Sequence, residues 1–535
     1  MSRTAENQFM VTMRARFTIA VMRALVIAVA FQPVLGAGAV GAQVLDPVAE
    51  QITVTAGATA TPLPHFWEQM FGSGRAILSL RESYRQDLRA VRAVTAFRYV
   101  RFHNILHDEV GVYGLDAKGR AKYNFSYVDQ IYDGLLENGI RPFVEISFMP
   151  RALSSDRTSE MDFWYRPNRA PPKDYARWDD LVRAFVAHLV DRYGIDEVAQ
   201  WYFEVWNEPN IDFWSGRPKQ RTYFTLYDHT ARDVKSVSGR LRVGGPATAQ
   251  AAWVSDFLRH AHETGVPVDF VSSHVYANDT AENVLGTHEG LARDRMVCRA
   301  ARKVHEEIAR SANPGVPFIL SEYNASYANE PDVTDSIFMG PWLADTIRQC
   351  DGQVDLMSYW SFSDVFEEQG VVQTPFYGGF GLVAERGIAK PAFNAFALLH
   401  KLGETRLAVD ADDALVTRRA DGTLVVALWY YMPPDGTGPR YAGPPAAPRP
   451  MKMFSLRFEG AAAGAAVTLW RLDADHGNVL RVFDALGRPA FPTRAQIEQL
   501  QAAAHLPAPE HPGLENGTLQ VAVPAQGLVV LELTR

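Results

Sequence analysis

In Trp201-Tyr-Phe-Glu-Val-Trp-Asn-Glu-Pro-Asn210 a strand pattern and a pair of carboxylates coincide. The aromatic and β-branched residues predict a strand that stops at Pro209, because proline has no N–H to give a ladder. A run this apolar belongs in a sheet covered on both faces, as parallel strands are. Yet it carries Glu204 and Glu208, and a buried carboxylate is costly unless it is paired or takes part in chemistry. Glu208 falls at the C-terminal end of the predicted strand, where barrel and open α/β enzymes keep their active sites. Taken alone, Asn-Glu-Pro would more often be an ordinary loop acid. A second carboxylate in the same kind of context, Glu322 in Pro317-Phe-Ile-Leu-Ser-Glu-Tyr-Asn324, tips the balance. Two carboxylates at the ends of two buried strands are the minimum equipment for cleaving a glycosidic bond.

Outward from that stretch, strand-like and helix-like segments alternate across residues 64–402. Candidate strands are 65–74, 97–106, 141–150, 200–210, 241–248, 268–277, 317–326 and 354–364. Amphipathic stretches lie between them; in 291–309, Val297, Ala301, Val304 and Ile308 recur on one helical face. Eight βα units predict a closed (β/α)₈ TIM barrel of the α/β class rather than an open sheet. Beyond residue 403 short alternating strands are separated by Pro- and Gly-rich turns, 433–450 being the plainest. Residues 403–535 are therefore expected to form an appended β-sandwich. Residues 43–63 contain a strand, 51–55, with no partner in the barrel and a candidate to join the sandwich. The loop 503–516 is expected to be a solvated excursion.

The first 42 residues have the layout of a secretory signal: Arg14, Arg16 and Arg23, an apolar run over 24–31, and a small-x-small site ending at Ala42. Met13 offers a second start of more usual signal length. The apolar run is short for a membrane span, so the expectation is a secreted or periplasmic protein with no membrane part once the signal is removed. The net charge of -8 gives no basic footprint, so nucleic acid is not an expected partner. The two cysteines, Cys298 and Cys350, could be a disulfide or two separate buried thiols. No Cys/His cluster has zinc-ligand spacing and no Gly-rich phosphate loop occurs, so no metal and no cofactor is expected.

Other predicted strand ends carry groups a sugar pocket would want. They are Arg98-Tyr-Val-Arg-Phe-His-Asn-Ile-Leu-His-Asp108, Ser272-Ser-His-Val-Tyr276 and Ser358-Tyr-Trp-Ser-Phe-Ser-Asp-Val-Phe-Glu-Glu368. Together with Glu208 and Glu322 they would share one rim. These segments resemble glycoside hydrolase family 39, and among its members the bacterial β-xylosidases. Further matches are 142–150, Pro171-Pro-Lys-Asp-Tyr175, Gly378-Gly-Phe-Gly-Leu382, Lys390-Pro-Ala-Phe-Asn-Ala395 and, in the sandwich, 475–500. The resemblance spans nearly the whole chain after residue 42 and implies a barrel with a β-sandwich.

It implies Glu208 as acid/base and Glu322 as nucleophile of a retaining exo-glycosidase acting on an oligosaccharide. Asn207 would bond the sugar 2-OH, and Tyr276 and Arg101 would steady the nucleophile. His103, His274, Trp360 and Glu368 would line the sugar site, with Glu367 or Glu368 accepting from O3 and O4. Glu204 and Glu145 are read as interior polar groups of the barrel. Asn104 stands where the xylosidases more often have glycine and Tyr377 where they more often have histidine; both are expected to bear on the pocket rim. The alternatives are another specificity within the family, for arabinosides or an exopolysaccharide, or a carbohydrate-binding protein on an inactive barrel. The presence of both carboxylates argues against the last.

Overall fold

A computed structural model describes residues 49–434, 451–460 and 465–534. The expected signal, residues 1–42, lies outside the described residues, as do residues 435–450 of the predicted turn. Eight parallel strands close a barrel in sequence order. They are β1 Met70–Gly72, β2 Tyr99–Phe102, β3 Arg141–Ile146 and β4 Tyr202–Val205, then β5 Arg242–Thr248, β6 Phe270–Tyr276, β7 Phe318–Asn324 and β8 Leu356–Tyr359. Amphipathic helices cover the outside. Tyr175–Tyr193 shows why they form where they do. Asp174 caps it by accepting from the Ala176 and Arg177 amides, and Gly194 ends it with a φ of 80°, a conformation that suits glycine. Trp178, Leu181, Val182, Phe185, Val186 and Leu189 form the buried face.

Alternation along the strands builds layers inside the barrel. Met70, Phe143, Phe270, Ile319 and Leu356, with Tyr99 and Tyr202, make an apolar floor. Two residues further along β2, β3 and β4 come Arg101, Glu145 and Glu204, all buried. The site lies above this charged layer, at the C-terminal ends of the strands.

Several strands are shorter than the sequence predicts, and in β2, β3, β4 and β8 most of the difference falls at the catalytic end. β4 ends at Val205, four residues before Pro209, because Trp206 and Glu208 have φ of 71° and 43°. Those left-handed angles cannot continue a strand. β2 likewise ends at Phe102, just before Asn104 with a φ of 74°. Glycine or asparagine is what that angle admits most readily, which is why asparagine can replace glycine there.

The second layer system is a pair of sheets. Ala466–Leu472, Gly527–Thr534, Leu424–Tyr430, Ala414–Arg418, Thr405–Leu407 and Ala60–Pro62 form an antiparallel six-stranded sheet. Glu50–Thr55 pairs in parallel with Met451–Glu459, which pairs antiparallel with Thr518–Pro524. Ile52, Val54, Val416, Leu428, Phe454 and Leu531 share the core between the sheets. Part of the expected sandwich sequence is helical instead: 475–500 contains Leu480–Ala485 and most of Arg494–Ala503. Phe483 and Leu500 pack there on Phe376 and Ile388, which follow the last barrel strand. The loop after 503 is tied back by mutual backbone hydrogen bonds between Leu469 and Glu510. Cys298 and Cys350 form a disulfide joining Arg293–Ala309 to Met339–Cys350. Among the described residues, no helix is long and apolar enough to cross a membrane.

Candidate active site

Glu322, on β7, meets the charged layer through Arg101. β7 points both Ser321 and Glu322 inward: Ser321 Oγ donates to Glu204 and Arg101 Nη1 donates to Glu322 Oε1, each at 2.6 Å. An ordinary strand would turn one of two consecutive residues away. The register slips on both sides of β7, between Ser273 and His274 on β6 and between Leu320 and Tyr323 against β8. Such irregularities re-aim side chains beside active sites.

Arg101 is fully buried and reaches three carboxylates, Glu322, Glu204 at 2.6 Å and Glu145 at 2.8 Å. Burial alone would weaken its charge, but those carboxylates outweigh that and hold it firmly cationic. Tyr276 Oη donates to Glu322 Oε2 at 2.7 Å, so each nucleophile oxygen has a donor. Burial pushes the Glu145 carboxyl up, yet Arg101 and His103 bring it below the usual carboxylate range. The buried Glu145 and Glu204 thus serve to fix Arg101 and, through it, Glu322.

Glu208 faces the same space. One oxygen of Glu208, one of Glu322 and a ring nitrogen of His274 all lie within 4.8 Å of one another. Burial, and next the negative charge of Glu322 and of Asp279, push the Glu208 carboxyl well above its ordinary range. His274 Nδ1 lies 3.0 Å from Glu208 Oε1, and its Nε2 lies 3.1 Å from Ser321 Oγ. Burial, with Arg101 and His103 nearby, keeps His274 well below its ordinary pKa and therefore neutral. A neutral imidazole does not pull the proton from Glu208 as a cation would. Asn207 Oδ1 accepts from Arg101 Nη2 at 2.9 Å, while its Nδ2 is buried without a partner in the protein. The guanidinium fixes the amide orientation of this cavity-lining residue and leaves its donor unpaired.

The cavity above the pair has a volume of about 310 Å³. Its lining includes His103, Asn207, Glu208, Tyr276, Glu322, Trp360 and Glu368. Gly72 makes room for the Trp360 ring, since a Cβ there would lie 2.0 Å from Trp360 Cε3. His103 Nδ1 is 2.7 Å from Glu145, and its Nε2 is 3.8 Å from Glu368 Oε1. Burial pushes Glu368 up to about 8, so near neutral pH it can donate as well as accept.

Three expectations need correction. Glu367 is absent from the cavity lining: its φ of 64° turns it away, and Arg75 at 3.0 Å and Arg81 at 2.6 Å take its oxygens. Asn104 and Tyr377 do not line the cavity either. Asn104 is fully buried, and burial together with the charges of Asp364 and Asp335 raises the Tyr377 phenol.

The model of glycosyl hydrolases family 39 matches residues 50–517. The chain belongs to this family. It is similar to the β-xylosidase of Geobacillus stearothermophilus, 39% identical over 449 residues that cover 82% of this chain and 86% of that protein. It is also similar to the β-xylosidase of Caldicellulosiruptor saccharolyticus, 34% identical over 464 residues, 85% of this chain and 92% of that one. Among solved structures, a monomeric β-xylosidase from Caulobacter crescentus CB15 superposes with a TM-score of 0.82 at 33% identity, covering 91% of this chain and 99% of that chain. Membership makes this an O-glycosyl hydrolase.

Other residues of the family 39 site were not singled out from the sequence. Phe163, Ile211, Phe213, Gln250, Asp279, Tyr327 and Phe380 also line the cavity. Phe380 falls inside a recognised motif, but most of the others sit on loops, where no periodicity points inward. The fold also gathers His65, Glu68 and His400, whose ligand atoms lie within 4.8 Å and could hold a metal ion. Glu68 precedes β1, so this group is at the opposite end of the barrel from the carboxylate pair.

Proposed function

We propose that this family 39 hydrolase is a retaining exo-β-xylosidase that releases xylose from xylo-oligosaccharides. The observation that carries the reading is the approach of Glu208 and Glu322 to within 4.8 Å across one cavity. A separation near 5 Å suits direct attack by a carboxylate, whereas inversion needs about 6.5–9.5 Å to admit a water. Glu322, ionised against Arg101 and Tyr276, attacks the anomeric carbon while Glu208 gives its proton to the departing oxygen. Glu208 then takes a proton from the water that hydrolyses the glycosyl-enzyme. The proton that Glu208 gives up in the first step is restored to it by the water in the second.

The choice of xylose is supported by the two similar β-xylosidases and by the cavity itself. Trp360 and Phe380 give it apolar walls, and among the described residues neither lysine nor arginine lines it, which disfavours a uronate. Export is supported by the charged and apolar pattern of residues 1–42 and by the Cys298–Cys350 disulfide, which suits an oxidising compartment. The test is kcat/KM on nitrophenyl β-xyloside, α-arabinoside, β-glucoside and an iduronide, with NMR of the first-formed anomer. β-Xyloside should be among the top two and the anomeric configuration retained. A lower rank ends the substrate assignment, and an inverted product ends the mechanism.

A further inference from the structure

The cavity has two sides of different chemistry. His103, Trp360, Glu368 and Phe380, from the ends of β2 and β8 and beyond, close one side. The other is built by the segments following β4 to β7: Ile211, Phe213, Gln250, Asp279 and Tyr327. Apart from the charge that Asp279 presents to Glu208, the double displacement makes no use of these five. A general acid must face the oxygen that leaves. Ile211 and Phe213 belong to the loop of Glu208 itself, with the Ile211 amide donating to the Glu208 carbonyl at 3.2 Å. The departing part of the substrate therefore lies over this second side.

Tyr327 is the conspicuous member, an aromatic side chain 57% exposed at the mouth of the cavity. It is held in place. Its amide donates to Asn278 Oδ1 at 3.0 Å, Asn278 Nδ2 donates to Ser326 Oγ at 3.1 Å, and its ring meets Tyr276 edge-on at 6.3 Å. A ring fixed by its neighbours but left in water can be covered by the C–H face of a sugar at little entropic cost. Beside it, Gln250 Nε2 donates to Asp279 Oδ1 at 3.1 Å, and the Tyr276 amide donates to Asp279 Oδ2 at 2.8 Å. Those bonds orient the Gln250 carbonyl and the remaining Asp279 lone pairs as acceptors for hydroxyl groups. Among the described residues this second side holds no cationic side chain, so a carboxylate-bearing unit would meet Asp279 uncompensated.

We propose that Tyr327, Gln250 and Asp279 form a leaving-group subsite for a neutral pyranose, with Tyr327 as the stacking platform and the Gln250–Asp279 pair as hydroxyl acceptors. The inference rests on the exo-glycosidase reading and goes beyond it by assigning residues to the second sugar. The experiment compares xylobiose with β-xylosyl fluoride, which carries no leaving sugar, in wild type, Tyr327→Ala and Tyr327→Phe. Binding energy from a remote sugar is realised in the transition state, so Tyr327→Ala should lose kcat/KM on xylobiose at least about tenfold more than on the fluoride. Tyr327→Phe, which keeps the ring, should restore most of that difference. Equal losses on both substrates, or no loss on xylobiose, would overturn the platform. A disaccharide whose leaving unit carries a carboxylate should be cleaved more slowly than its neutral counterpart, and Asp279→Asn should narrow the gap; no gap would overturn the restriction to neutral sugars. If wild type ignores xylosides, the xylose assignment fails by itself. The same ratio is then measured with the disaccharide and fluoride of the sugar it does hydrolyse.

Discussion

Replacing Asn207 by alanine isolates one contact that the structure leaves half made. The amide oxygen is satisfied by Arg101 Nη2, and the amide nitrogen is a buried donor without a partner in the protein. A sugar 2-OH in the cavity would complete it, and bonds to that hydroxyl strengthen as the oxocarbenium character develops. A buried hydrogen bond of this kind contributes about 1–3 kcal/mol, which converts to roughly a fivefold to 150-fold loss of kcat/KM. Arg101 keeps three carboxylates in the variant, so the fold should survive, and thermal unfolding checks that it does. The assay is a cycle of protein and substrate: wild type and Asn207→Ala on an aryl β-xyloside and on its 2-deoxy analogue. The variant should lose the stated factor on the xyloside and much less on the analogue, which lacks the partner. An equal loss on both would refute the assignment and leave Asn207 as a prop for Arg101 alone.

Glu208→Ala should slow xylobiose by about 10²–10⁴-fold while sparing glycosylation by a dinitrophenyl glycoside, with azide speeding turnover. Burial and Glu322 hold the Glu208 carboxyl well above its ordinary range, so wild-type activity persists below that raised pKa and falls as pH rises through it. The variant should lack this basic limb in its rate profile. Glu322→Ala should abolish turnover of every substrate, and an appreciable residual rate on an aryl xyloside would end its assignment as nucleophile. Lys390 is fully buried between Asp335 at 2.7 Å and Asp364 at 2.6 Å, so Lys390→Met should cost about 3–5 kcal/mol in urea unfolding. Burial pushes Asp364 up to about 7, so that loss should shrink as pH falls and the acids protonate. Replacing Cys298 and Cys350, which lie 52 residues apart, with serine should lower stability by about 2–4 kcal/mol.

Much of the fold was legible because its signals are local. Alternating strand and helix texture over residues 64–402 gave a barrel, and eight parallel strands close one. The face Val297, Ala301, Val304 and Ile308 is buried as its spacing requires. The change of texture after residue 403 marked the second sheet system. The stretch 475–500 misled because its helices answer to Phe376 and Ile388, far off in sequence. Strand ends misled because composition cannot show where the backbone turns left-handed, as it does at Trp206, Glu208 and Glu367.

Within the site, residue type and position along a strand placed Glu208 and Glu322 near a common rim, because strands of a parallel barrel all end on one side. Which neighbour of a pair faces inward was another matter. Glu367 and Glu368 are adjacent and chemically identical, yet Arg75 and Arg81 claim one and the cavity the other. Ser321 and Glu322 both turn inward only because β7 slips register against β6 and β8. The sequence alone determined the chemistry on offer: two carboxylates, an arginine and aromatic rings at the ends of buried strands. Tertiary structure decided which of these meet, and it set the proton affinity of Glu208, since burial and the charge of Glu322 exist only once distant strands are side by side.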